Sequence, residues 1–236
     1  MKTIPRFKYH AMLAKAFTLT ELLVVIAVIA ILAAILIPVI GHVKSKAHAV
    51  QCSSNLGQIG KAAMMWSADN QGRIVPCFSP GDGPQLQMRH WTGILAPYLG
   101  WQSDNGPSKS FSSYEDMPVY ICPERPGTFG YSHNWHYLSY IESVNKSNRM
   151  VGSFQVINPV ETVFMADSWD PTKSETYWKS TLRSPSESTT SSVVHFRHPG
   201  NTANVLWLDG HVSSVEEDSD FMESDYYFQV SKGKKP

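Results

Sequence analysis

Cysteine is scarce in this chain: three residues among 236, with no CxxC pair. That excludes a disulfide-dense scaffold and a paired-thiol redox motif. Net charge is missing too, since 20 Lys and Arg stand against 20 Asp and Glu. Proteins that hold nucleic acid by neutralising phosphates carry a basic excess, so no nucleic-acid partner is expected. Charged residues make up only 17%, yet hydrophobic ones reach 42%, which excludes a chain too polar to fold. GxSxG, HExxH, a phosphate loop and a dinucleotide fingerprint are all absent, so the sequence does not read as an enzyme. No internal repeat occurs.

What is present is distributed unevenly. Leu22 to Ile37 is a run of sixteen apolar residues, LLVVIAVIAILAAILI, and past Pro38 it continues to Ile40. The 24 residues from Phe17 to Ile40 make about 36 Å of helix, enough for a hydrocarbon core of about 30 Å. Lys2, Arg6, Lys8 and Lys15 precede the run with no acid among them. This bias predicts a cytoplasmic N-terminus and an extracytoplasmic C-terminal part. A secretory signal peptide also begins basic, but its apolar core is shorter and an A-x-A cut site follows. Here only Pro38-Val-Ile-Gly41 stands in that place. Glu21 is the anomaly, because an ionised carboxylate inside an apolar span costs a few kcal/mol. Either it lies wet at headgroup level, or it has an amine partner. A cut before Phe17 would place a new α-amino group one helical turn away, in the same subunit or in a neighbour.

The stretch AFTLTELLVVIAVIAILAAILIP, residues 16–38, resembles the N-terminal signature of type IV pilins and type II secretion pseudopilins. The resemblance implies a prepilin peptidase that cuts between Ala16 and Phe17, and N-methylation of Phe17. Glu21 then becomes the fifth mature residue, the position that neutralises the amine of the preceding subunit and sets register. Pro38 falls where many of these proteins have a kinking proline. The sequence departs from the pattern at Ala16, where Gly is usual, and at Thr20, where an apolar residue is usual. The implied partners are the peptidase, other pilin or pseudopilin subunits in a homo- or hetero-polymer, an inner-membrane assembly platform and membrane lipid. The implied place is the bacterial inner membrane, then a filament in the periplasm or at the cell surface. The expected fold is α+β and pilin-like: a long N-terminal helix packed on an antiparallel sheet.

The organisation follows from this. Residues 1–16 are a leader, 17–40 the membrane and assembly helix, 41–71 its amphipathic continuation, 72–228 an extracytoplasmic head and 229–236 a basic tail. In the continuation, Val43, Ala47, Val50, Ile59, Ala63 and Trp66 recur at helical spacing, which predicts one buried face. The segment 48–76 also resembles a bacterial pilin-like subgroup that reads QCxSNLxQIG here, and Cys52, Leu56 and Ile59 read as core. Asp69-Asn-Gln-Gly72 predicts the helix end. Pro38 and Gly41 are expected to bend the helix. Ser79–Pro84 and Gly106–Ser108 read as turns. Trp91–Trp101 reads as a short helix or docked loop, and Val119–Cys122 as a strand. Val151–Ile157, Thr162–Ala166 and Val193–Phe196 are further strand candidates. Ala203–Leu208 and His211–Val215 predict a hairpin with Asp209-Gly210 as a two-residue turn. Ser184–Ser192 reads as a loop. Glu216–Asp225, with six acids, reads as a solvated segment, and Lys232–Pro236 as a solvated tail.

Several residues invite a chemical reading. FRHPGNTANVLWLDGHV, residues 196–212, resembles a C-terminal signature of His, nine residues and Asp-Gly that accompanies prepilin leaders in some bacteria. Here ten residues separate His198 from Asp209 and Gly210, so the loop is one residue longer. His195, His198, Asp209 and His211 could be read as metal ligands, but His195 and His198 would lie on opposite faces of a strand and the turn explains Asp209. No metal is expected there. Calcium is the one cofactor considered, through Asp218, Asp220 and Asp225, since it takes several oxygens. Cys77 and Cys122 are the candidate disulfide if the head is extracytoplasmic, with Cys52 left over, though three pairings are open. Trp91, Trp101, Trp135, Trp169 and Trp178 could stack on sugars, or pack as core. The alternative to a filament subunit is therefore a membrane-tethered surface binding protein, for instance of glycans, that uses only the pilin-type leader.

Overall fold

A computed structural model describes residues 18–79, 89–101, 117–126, 129–138, 151–169, 181–186 and 193–230. The Ala16–Phe17 junction, most of the Ser79–Pro84 turn, Gly106–Ser108, Trp178, most of Ser184–Ser192 and the tail from Lys232 lie outside them. The chain divides into two compact units, one ending at Val43 and the other beginning at Lys44.

The helix α1 spans Leu19–Asp69. Within the first unit every described residue of it is exposed, including Leu22, Ile29, Leu36 and Ile37. The segment is long and apolar enough to cross a membrane. Pro38 lies inside α1 without ending it.

In the second unit α1 buries Cys52, Asn55, Leu56, Ile59, Gly60, Ala62, Ala63 and Trp66. The expected core positions Cys52, Leu56, Ile59, Ala63 and Trp66 are confirmed. Val43, Ala47 and Val50 are exposed instead. At about 100° per residue they lie on the face of α1 opposite Cys52, Leu56 and Ile59, while Ser45, His48 and Ala49 turn towards the head. The helix ends where Asn, Gln and Gly predict, with Gln71 and Gly72 both at positive φ (61° and 71°).

The head is built on a six-stranded sheet. Its strands are β3 (Tyr131–Asn134), β4 (Val163–Trp169), β5 (Thr181–Leu182), β6 (Val193–Val194), β7 (Thr202–Trp207) and β8 (Val212–Glu216). The order is β5-β3-β4-β7-β8, with β6 also paired to β4. The pairs are antiparallel except β3–β5, which is parallel, so the sheet is mixed rather than purely antiparallel. A separate two-stranded ribbon joins β1 (Phe78–Ser79) to β2 (Arg89–His90). Two short helices, α2 (Trp91–Leu95) and α3 (Trp135–Leu138), follow β2 and β3.

Strand β7 shows why the sheet sits where it does. Its residues alternate between the two faces. Asn204 and Leu206 face α1: Asn204 Nδ2 donates to the Ala49 carbonyl at 3.3 Å, and Leu206 lies against Gly60. Ala203, Val205 and Trp207 face the other way, onto Phe221, Tyr227 and Phe228. Both faces are covered, so the run reads as nearly continuously apolar. The acids of Glu216–Asp225 are mostly exposed as expected, but Phe221 between them is buried, and the 3-10 turns Asp220–Met222 and Asp225–Phe228 form the second layer.

Three local expectations are corrected. Val119–Cys122 is not a strand: Pro118–Tyr120 is a 3-10 turn, because a proline-led segment lacks the first ladder donor. Val151–Ile157 is likewise a 3-10 turn, at Ser153–Gln155, with Phe154 and Ile157 exposed. The β7–β8 hairpin forms, but its register pairs Leu206 with Val212, and Trp207 N donates to the His211 carbonyl at 2.9 Å. Leu208, Asp209 and Gly210 therefore make a three-residue loop, with Gly210 at φ 94° supplying the left-handed position such loops need.

Candidate functional site

The N-terminal segment is ordered locally by Thr18 and Glu21. The Thr18 amide donates to Glu21 Oε2 at 2.9 Å, and the Thr18 hydroxyl donates to the same oxygen at 2.8 Å. The Glu21 amide donates back to Thr18 Oγ1 at 3.3 Å. This reciprocal pattern is a capping box, Thr-x-x-Glu, at the start of an apolar helix. Each of the two side chains thus satisfies an amide that the first helical turn leaves unpaired.

The head holds a second polar constellation, fully buried. Asp167 on β4 is its centre, at 0% exposure. Its Oδ2 accepts from the Asn204 amide of β7 at 2.7 Å and lies 2.9 Å from His198 Nε2. Its Oδ1 is 3.9 Å from Arg197 Nε. The Arg197 guanidinium also donates to the carbonyls of Ser168 at 2.7 Å and Gly130 at 3.1 Å. Cys122 Sγ stands 3.8 Å from His198 Nε2. A charge so deep is tolerable only when paired and hydrogen-bonded, and Asp167 has both.

The nearby titrating groups respond to this interior. Burial pushes His195 down to about 4, reinforced by the positive charges of Arg197 and Arg125. Burial also pushes the Tyr131 hydroxyl far up, and the Asp167 carboxylate adds to it.

Cys122 is bonded to Cys52, not to Cys77. The expected Cys77–Cys122 pair is thereby corrected. Cys77 is buried near the β1–β2 ribbon, whereas α1 brings Cys52 directly against the Cys122 loop. The bond closes a separation of 70 residues, a loop whose constraint in the unfolded chain is worth about 4 kcal/mol.

The C-terminal signature residues separate. His198 is in the buried Asp167 cluster. Asp209 is at the hairpin tip, where its Oδ1 lies 2.6 Å from His211 Nδ1 and accepts from the His211 amide at 3.1 Å. The His211 ring stacks on Trp207 at 5.6 Å. The carboxylate partner of His198 is therefore Asp167, which sequence reading missed. Asp167 lies in an apolar strand, and its only sequence signal is a charge in the middle of a β-rich run.

Of the tryptophans, Trp91 is in the core, and Trp101 and Trp135 pack against it. Arg183 lies over the Trp135 ring at 4.4 Å, and Trp169 lies between Arg125 and His195. Asp220 accepts from Tyr227 Oη at 3.2 Å, and Asp225 from the Ser186 amide at 3.0 Å.

An apolar, membrane-length N-terminal helix together with an α+β head is a pilin-like layout. The chain carries the prokaryotic N-terminal methylation motif, matched over residues 12–37. The match includes the Ala16–Phe17 junction and Glu21, and ends before the head. No curated protein and no solved structure matches the chain. The motif implies processing by a prepilin peptidase and assembly with other pilin subunits.

Proposed function

We propose that this protein is a structural subunit of a type II secretion pseudopilus or type IV pilus-like filament. Cleavage between Ala16 and Phe17 frees an amine that becomes N-methylated. The apolar helix holds the subunit in the inner membrane until an assembly platform extracts it. Extraction exchanges lipid contacts for contacts with neighbouring helices. The Phe17 amine and Glu21 of adjacent subunits set the register, because a carboxylate in that environment is costly unpaired. The head stays on the extracytoplasmic side.

The observation that carries this reading is the methylation motif, coincident with the part of α1 up to Val43, whose apolar side chains are all exposed. Such a surface demands either lipid or other helices. The burial of Trp91 and the arginine contacts of Trp135 and Trp169 weigh against the glycan-binding alternative.

N-terminal mass spectrometry of the protein from its native membrane is the direct test. A mature N-terminus at N-methyl-Phe17 is expected. An intact Met1 would leave a simple membrane anchor. A start near Gly41 or later would make the protein an exported soluble one and end the filament reading.

A further inference from the structure

Four potential metal donors converge in the head: Cys52 Sγ, Cys122 Sγ, Asp167 and His198, all within 4.8 Å of one another and all buried. They come from four separate places in the sequence: α1, the loop after the Pro118–Tyr120 turn, β4, and the segment between β6 and β7. One carboxylate oxygen, Asp167 Oδ1, is buried without a hydrogen-bond partner. Two sulfurs, an imidazole and a carboxylate are a ligand set that suits a closed, tetrahedral zinc site. In such a site, ligand atoms about 2.0–2.3 Å from the metal lie about 3.3–3.8 Å from one another. Cys122 Sγ and His198 Nε2 are already 3.8 Å apart, and His198 Nε2 and Asp167 Oδ2 2.9 Å.

We propose that this one cleft has two exclusive closures: the Cys52–Cys122 disulfide in the oxidised chain, and a bound Zn²⁺ in the reduced chain. Once the S–S bond is gone, the two sulfurs need only separate to the spacing of zinc-bound thiolates. His198 Nε2 and one oxygen of Asp167 complete the four ligands. Charge supports both closures. With the disulfide in place, the Asp167 carboxylate faces the Arg197 guanidinium. With metal, two thiolates and one carboxylate are offset by Zn²⁺ and the same guanidinium. Either way these charges cancel, which suits a buried cluster. Thiolates also favour zinc over hard cations such as calcium or magnesium.

The redox step balances with a phosphine as reductant. The disulfide and one water yield two thiols, the phosphorus takes the oxygen, and zinc binding then releases the two thiol protons. All four ligands are buried, so reductant and metal enter through the open chain.

The full-length protein in detergent, bearing no polyhistidine tag, is unfolded in urea and reduced with a trialkylphosphine. It is then refolded without oxygen in the presence of Co²⁺ as a spectroscopic probe. One Co²⁺ per chain is expected, with thiolate-to-cobalt charge-transfer absorption that Zn²⁺ abolishes. The oxidised chain should show none. Cys52→Ser and Cys122→Ser should lose the band, and Cys77→Ser should keep it. His198→Gln and Asp167→Asn should weaken affinity at least about tenfold. Both variants keep the disulfide, so their oxidised forms report folding separately from metal uptake. The proposal is overturned if the reduced chain refolds without taking up metal, or if it regains its sheet circular dichroism neither with Zn²⁺ nor with Co²⁺. A band that survives in Cys52→Ser, or that depends on Cys77, overturns it as well.

Discussion

His133 sits in the core as a neutral imidazole. Its Nε2 donates to the Val75 carbonyl at 2.8 Å, and its ring meets Phe164 edge to face at 5.1 Å. Burial holds its pKa down to about 4, well below the usual 6.5. Between those values the unfolded chain binds a proton that the folded chain does not. Stability therefore falls as pH drops from about 6.5 towards 4, by about 1.4 kcal/mol per pH unit from this residue. Urea unfolding across that range should show His133→Gln with a slope shallower by about one proton. An unchanged slope would assign the acid sensitivity elsewhere. Gly130 is constrained by space rather than by φ. A Cβ there would lie 2.7 Å from Cys122 Cβ and 2.8 Å from the Cys122 amide nitrogen. Backbone cannot yield as a side-chain tip can, so Gly130→Ala should cost about 1–3 kcal/mol by overpacking beside the disulfide. Denaturant unfolding of the two proteins checks this.

At the scale of elements, the long patterned segments were legible and the short ones were not. The helix end at Asp69, the buried positions Cys52 to Trp66 and the β7–β8 hairpin all follow from local periodicity and turn chemistry. Strand β3, YSHN, carries no alternation of apolar and polar residues that a sequence could reveal. It is a strand because β4 and β5 pair with it, and Ser132, His133 and Asn134 each reach a partner on a distant element. Asn134 Nδ2, for example, donates to the Val163 and Phe228 carbonyls, both at 2.9 Å. Val119–Cys122 and Val151–Ile157 have β-rich composition, but among the described residues neither joins a ladder, and Gly152 makes only an isolated antiparallel bridge with Arg73. The hairpin loop was one residue longer than Asp-Gly alone implies. Its closing pair, Trp207 and His211, is fixed by ring stacking and by the indole, which donates to Ser213 Oγ at 2.7 Å.

For the whole molecule, the decisive feature is the first part of α1, up to Val43, whose apolar surface no described residue covers. Glu21 has a capping role within its own helix, and its proposed assembly role is separable from that. Glu21→Gln keeps an oxygen to accept from the Thr18 amide but cannot pair with an amine. Glu21→Ala loses both. Both variants should insert into the membrane normally, and both should fail to form filaments. Carbonate extraction measures the first property, and recovery of sheared filaments the second. Filaments formed normally by Glu21→Gln would sink the register idea.

The sequence alone determined the basic N-terminal stretch, the membrane-length run, the methylation motif and the location of the helix–head continuation. These depend on residues close together in the chain, where hydropathy and spacing act without help from the fold. The tertiary structure decided which cysteines pair and which carboxylate meets His198. Cys52 and Cys122 are 70 residues apart, and Asp167 reaches His198 only because β4 and β7 lie side by side. A buried charge or thiol acquires its partner from the packing of distant elements, and spacing along the chain carries no record of that distance.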